Sequence, residues 1–306
     1  MRKIILLCAS LCVMALLFSG TTVLAQTLWV SPIGSDANAC SQTAPCLSFQ
    51  RAINFGASQI NCLGSGNYGS VVIGGSITID CGAGNVGNIA SSTAAAITIN
   101  TTVATTIILR HLALNGLSTN SGIGISASSF FSGTLIVEDC MIHGYSNNYG
   151  ILFSPTNGRG LLQVSNSQIF DNVHGIGAAP ASGQIASVTL NNVELVANTG
   201  FGLFLSGQGV VAGTMRDSIV GENGNSGVVA QSSQVFFTVE ESSIVDNLVN
   251  GIQTNSAGSA IKVAASTIGG NGTGVLASAG SIVSFGDNHI SDNGSDGNFT
   301  STKALK

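Results

Sequence analysis

Only Arg216, among the basic residues beyond position 25, falls beside acids in a repeating context. Asp217 adjoins it, and Glu240 and Glu241 follow at a matching interval. Brought together, these acids could hold calcium while Arg216 removed a proton α to a carboxylate. The structural alternative is an exposed ion-pair rung at a turn, which contributes little to stability. Two stacked acids without a third make a thin calcium shell, so the ion-pair rung is the favoured reading. A second pair, Glu222 and Asp246, belongs to an acidic file with Asp171 and Asp292, each directly before a recurrent Asn. Stacked at the ~5 Å strand separation, the pair would approach the spacing of retaining-glycosidase carboxylates. Turns collect Asp and Glu for solvation alone, and that reading is preferred here too.

Other chemistry is thinner. His111, His143, His174 and His289 occupy different places in their repeats, so they form no metal-binding file and read as surface or turn histidines. No Gly-x-Ser-x-Gly stands between a strand and a helix. The glycine-rich strings at 64–69 and 82–87 lack the Lys or following helix of a phosphate loop. Calcium is thus the one cofactor that any cluster suggests, and the preferred reading has none.

The elements that must position these residues are set by a period. Asn172, Asn198, Asn223, Asn247, Asn271 and Asn293 are spaced by 26, 25, 24, 24 and 22 residues. Three residues before each stands an aliphatic side chain: Ile169, Leu195, Val220, Ile244, Ile268 and Ile290. Five before stands Ser167, Val193, Ser218, Ser242, Ser266 or Asn288, and eight before another apolar residue. Two earlier copies fit with the Asn replaced, one through Val137, Cys140, Ile142 and Tyr145, the other through Leu109, Leu112, Leu114 and Leu117. Units of this length with short β-branched runs broken by Gly and Asn fit coils of a parallel β-helix rather than helical or leucine-rich repeats. The recurrent Asn is expected to take the left-handed conformation at a tight bend and to bond its stacked amide to the next. Cys140 falls in the inward Ser file and reads as an inert core thiol.

Composition agrees. The 306 residues are 44% hydrophobic and only 8% charged, with 40 Gly, enough apolar surface for a sizeable core but too few charges for amphipathic helices. A net charge of -5 with 9 Lys+Arg excludes binding driven by nucleic-acid phosphates.

Residues 1–25 read as a secretory signal, with Arg2 and Lys3 before an apolar run too short to span a bilayer and Ala25 at the cleavage site. The remaining chain is expected to be exported, secreted or periplasmic or at the cell surface, with no membrane span. Such a compartment permits disulfides among Cys40, Cys46, Cys62 and Cys81. Cys40–Cys46 with Cys62–Cys81 is the most local of the three possible pairings. Residues 26–59 are expected to form an N-terminal strand and a capping helix over 47–57, residues 60–297 the β-helix of about 10 coils, and 298–306 a polar tail.

The stretch from Leu28 to Asn38 (LWVSPIGSDAN), with Ala44-Pro45-Cys46, Phe49 and Ala52-Ile53, resembles the opening segment of secreted bacterial right-handed parallel β-helix proteins. These belong to the pectin-lyase-like superfamily, and the repeats from 107 to 297 resemble its β-helix repeats. The resemblance implies an all-β, single-stranded right-handed solenoid. It does not select an activity, because this fold carries lyases, hydrolases, epimerases and adhesins. Polygalacturonase-like hydrolases show paired Asp and Gly-His-Gly; here Asp171-Asn172 and His174-Gly175, with Val173 between them, depart from that pattern.

Three function classes follow. The first is a non-catalytic exported protein whose partner is a polysaccharide or cell-surface glycan. The second is a polysaccharide lyase or glycoside hydrolase on an acidic glycan, working through the candidates above. The third is a structural or adhesive module. Sparse, dispersed ionisable groups favour the first.

Overall fold

The computed structural model describes residues 26–82, 84–91, 95–117 and 122–304. The secretory signal expected at 1–25 lies outside the described residues.

The chain winds into an all-parallel β-solenoid of about nine turns. Each winding contributes a strand to three faces, and each strand pairs with its equivalent one winding before and after. On the first face Leu109 stands against Val137, which stands against Val164, and the file continues through Leu190, Met215, Val239 and Val263. The second face stacks Ile142, Ile169, Leu195, Val220, Ile244, Ile268 and Ile290. The third stacks Ile125, Ile151, Ile176, Leu203, Val228, Ile252 and Val275. Apart from the half-buried Ile290, these side chains are buried and meet along the axis as the core. Period-2 alternation therefore sets which residues point inward, and the coil length sets which residues stack.

Single left-handed residues make two of the corners. Between the first and second faces these are His111, Asp139, Asn166, Asn192, Asp217, Glu241 and Ala265, with φ from 46 to 54. Between the second and third faces they are Asp171, Ala197, Glu222, Asp246 and Asp292, with φ from 53 to 61, and Gly270. The recurrent Asn is not the left-handed residue. The residue before it is, and the Asn itself turns its amide into the coil.

At the N-terminal end, Thr27–Val30 pairs with Gln59–Cys62. The helix spans Phe49–Asn54, shorter than the expected 47–57. Ser48 caps it by accepting the Arg51 N–H, and Phe49 and Ala52 are buried beneath it. Two disulfides, Cys40–Cys46 and Cys62–Cys81, hold this end. At the other end, Ser301–Thr302 pairs with the first-face strand ahead of it and Phe299 packs on the core, so residues 299–302 continue the solenoid. Leu117, expected among the apolar repeat positions, is exposed and itself left-handed at φ 58. Among the described residues no helix is long and apolar enough to cross a membrane.

Candidate functional site

Arg216 ends a first-face strand directly over Glu240. Its Nη2 donates to Glu240 Oε2 at 2.7 Å, and its Nη1 lies 3.3 Å from Glu241 Oε2. Asp217, next in sequence, holds the left-handed corner position, as Glu241 does one winding later. The four candidates therefore share one outer edge. The hydrogen bond to Glu240 and the neighbouring Glu241 charge raise the Arg216 pKa above its ordinary value. A base must release its proton before it can take another. This environment holds the proton on Arg216, and Glu240 and Glu241 are both engaged by the guanidinium, whereas Asp217 acts on it only through its charge.

Glu222 and Asp246 occupy the other left-handed corner on consecutive windings, where the Glu222 N–H donates to Val245 O at 3.1 Å. Both side chains are exposed. They line an open concavity of about 630 Å³ with Leu248, Gly224, Gly270 and Gly272; a proton-donating carboxyl in a glycosidase relies on burial in apolar surroundings, and these two are exposed. Behind this edge the Asn ladder is fully engaged. Asn172, Asn198, Asn223, Asn247 and Asn271 are buried, and Asn293 at the end is half-buried. Each Nδ2 reaches the Oδ1 of the next, at 3.2, 3.0, 2.8, 2.8 and 3.0 Å along the series. Every ladder amide also donates to a second-face carbonyl of the previous winding, for example Asn247 Nδ2 to Val220 O at 3.0 Å. These amides close the corner, and the five buried ones have their hydrogen-bonding groups engaged within the ladder.

Cys140 is a free, buried thiol. Its Sγ–H points to Glu138 O at 3.2 Å, as Ser167 Oγ points to Ser165 O at 2.7 Å one winding on. Burial pushes its pKa up to about 12, so it carries no nucleophilic thiolate at neutral pH.

A polar cluster that the sequence reading passed over lies nearer the N-terminus. Arg110 Nε donates to Glu138 Oε2 at 2.6 Å, so Arg216 is not alone in sitting beside acids. His111 Nδ1 lies 2.8 Å from Asp80 Oδ1, and its Nε2 lies 3.8 Å from Asp139 Oδ2. The signal was present: Leu109 and Val137 were already aligned as repeat equivalents, which places Arg110 over Glu138 and His111 over Asp139. Asp80 was hidden by the irregular coils before it.

His111 and Asp139 open onto a groove of about 410 Å³. One wall is the corner file His111, Asp139, Asn166 and Asn192; the other is Ala113, Met141, Gln168 and Glu194, stacked on the second face. Asn192 Nδ2 donates to Asn166 Oδ1 at 2.9 Å, and Gln168 Nε2 to Glu194 Oε2 at 2.9 Å.

A ring file at the start of the third face was also not foreseen. Tyr149, His174, Phe201 and Phe204 follow one another with centroids 4.8 to 5.1 Å apart. The Phe201 N–H donates to His174 Nδ1 at 3.0 Å. All four rings are half-buried, so the file is part of the surface of the third face.

No family model matches the sequence, and no curated protein matches it. Among solved structures, the pectate lyase Pel9A is similar at a TM-score of 0.61 and 16% identity, over 84% of this chain and 74% of that one. The Azotobacter vinelandii mannuronan C-5 epimerase AlgE4 A-module is similar at 0.56 and 17% identity, over 82% of this chain and 78% of that one. At such identity the similarity is one of fold, and by fold the chain is a parallel β-helix of the pectate lyase type.

Proposed function

We propose that this chain is an exported, non-catalytic β-helix that holds polysaccharide at or beyond the cell surface. The observation that carries the reading is the state of Arg216. Its guanidinium is engaged by Glu240 at 2.7 Å and lies 3.3 Å from Glu241, which supports an exposed ion-pair rung at a turn over a base aimed at a substrate. Both solved neighbours are named for action on polysaccharides, a pectate lyase and a mannuronan epimerase, which supports a glycan as the ligand. The two disulfides support a working life in an oxidising compartment.

The test is incubation of the purified protein with a panel of neutral and acidic polysaccharides. Retention on one or more of them, with no release of unsaturated or new reducing ends, is the expected result. Release of such ends, abolished by Arg216→Ala, would instead establish a lyase or hydrolase.

A further inference from the structure

The groove at the corner between the first and second faces is a polar concavity of about 410 Å³ with unspent hydrogen-bonding groups along both walls. Its walls run parallel to the solenoid axis across consecutive windings. Four stacked levels at ~4.8 Å make a run of about 15 Å, so an extended pyranose chain laid along the axis would meet about one level per sugar. The Asn166–Asn192 bond uses one group of each amide, leaving Asn166 Nδ2 as a donor and Asn192 Oδ1 as an acceptor. Glu194 likewise keeps Oε1 after accepting from Gln168. Hydroxyls both donate and accept, so they match such a mixed wall. Ala113 and Met141 give the opposite wall an apolar stretch on which the C–H face of a sugar can pack.

The charge pattern selects among glycans. Arg110 is taken by Glu138, and His111 lies 2.8 Å from Asp80 and 3.8 Å from Asp139, so the groove sets two carboxylates, Asp139 and Glu194, against a single imidazole. A uronate chain would meet like charge there. A peptide strand is disfavoured for a different reason: strand addition needs an open sheet edge, and the strands beside the groove are paired on both sides.

We propose that this groove, walled by His111, Asp139, Asn166 and Asn192 on one side and by Gln168 and Glu194 on the other, binds a neutral oligosaccharide laid along the axis. The proposal rests on the polysaccharide-binding reading and adds to it the place and the class of sugar.

The test is calorimetric titration of the signal-cleaved protein with hexamers of glucose, mannose and xylose, each β-1,4-linked, and with a galacturonate hexamer. Asn166→Gly and Asn192→Gly remove the amides while keeping backbone positions with φ of 49 and 53 that glycine accepts readily. Ala113→Trp fills the groove, and thermal melts of each variant report whether the fold is intact. At least one neutral hexamer is expected to bind, at least tenfold more weakly to the double Asn variant and undetectably to Ala113→Trp, with Arg216→Ala unaffected. Neutral binding undiminished in folded groove variants would overturn the placement and leave polysaccharide binding standing. Preference for galacturonate would overturn the selection for neutral sugars. Failure of every hexamer to bind while a polysaccharide of the wider panel is still retained would overturn the groove alone; failure of both would overturn the reading beneath it as well.

Discussion

Asn223 donates through Nδ2 to Oδ1 of Asn247 at 2.8 Å, and that same oxygen accepts the Asn223 backbone N–H at 3.3 Å. One buried amide thus satisfies two donors of the winding before it, while its own Nδ2 serves Val220 O and Asn271 Oδ1. Truncating it strands several buried polar groups at once.

Asn247→Ala is accordingly expected to destabilise the protein by about 2–4 kcal/mol, since each stranded buried group costs roughly 1–3 kcal/mol. Chemical denaturation measures the loss. Glycan retention by the still-folded variant should be unchanged; selective loss of retention in a stable variant would make the ladder a binding element.

How much of this was legible beforehand differs by residue. The aliphatic files were readable because inward side chains repeat at one coil length and tolerate little but Ile, Leu and Val. The Asn ladder was readable for the same reason, yet the left-handed conformation was assigned to the wrong partner of each pair. Asp246 and Asn247 are both residue types that tolerate positive φ. Only the backbone shows that Asp246 takes it, at φ 55, and that Asn247 is fully buried. The Asp80–His111 contact was not legible, because it bridges 31 residues across coils of uneven length. The groove walls were obscure for a further reason: corner residues face solvent, so His111, Asp139, Asn166 and Asn192 share a position without sharing a chemistry.

Cys140→Ser should fold and retain glycan as the parent does, because Ser167 already makes the equivalent bond in the next winding. The native thiol, buried with its pKa pushed up to about 12, should resist thiol-specific alkylation at pH 8 and react fully once denatured. Rapid labelling of the native protein would contradict this placement.

Acid should weaken the fold through its histidines. Burial lowers the pKa of His174, and burial likewise lowers that of His143 against an opposing pull from Asp171. A histidine depressed in the folded state contributes stability that is complete above its unfolded pKa, about 6.5. That contribution is lost as pH falls from there through the folded pKa. Melting temperature should therefore decline on going from pH 7 towards pH 5, and His174→Gln should flatten part of the decline. An unaltered acid limb in that variant would remove His174 from the account.

Reduction should loosen the N-terminal end. Cys62–Cys81 closes a loop with a sequence separation of 19, and cross-links of that span contribute roughly 3 kcal/mol in the chain-entropy view. Replacing both cysteines with Ser should lower stability by that order, with hydrogen exchange rising first around 59–80. Uniform exchange along the chain would mean that this end does not open separately.

The most direct measurement pairs retention with product analysis on the same glycan panel. Bound polysaccharide recovered at its original length, with no unsaturated or new reducing ends and with retention insensitive to Arg216→Ala, is the predicted result. Shortened or unsaturated chains that vanish with Arg216→Ala would contradict a non-catalytic role.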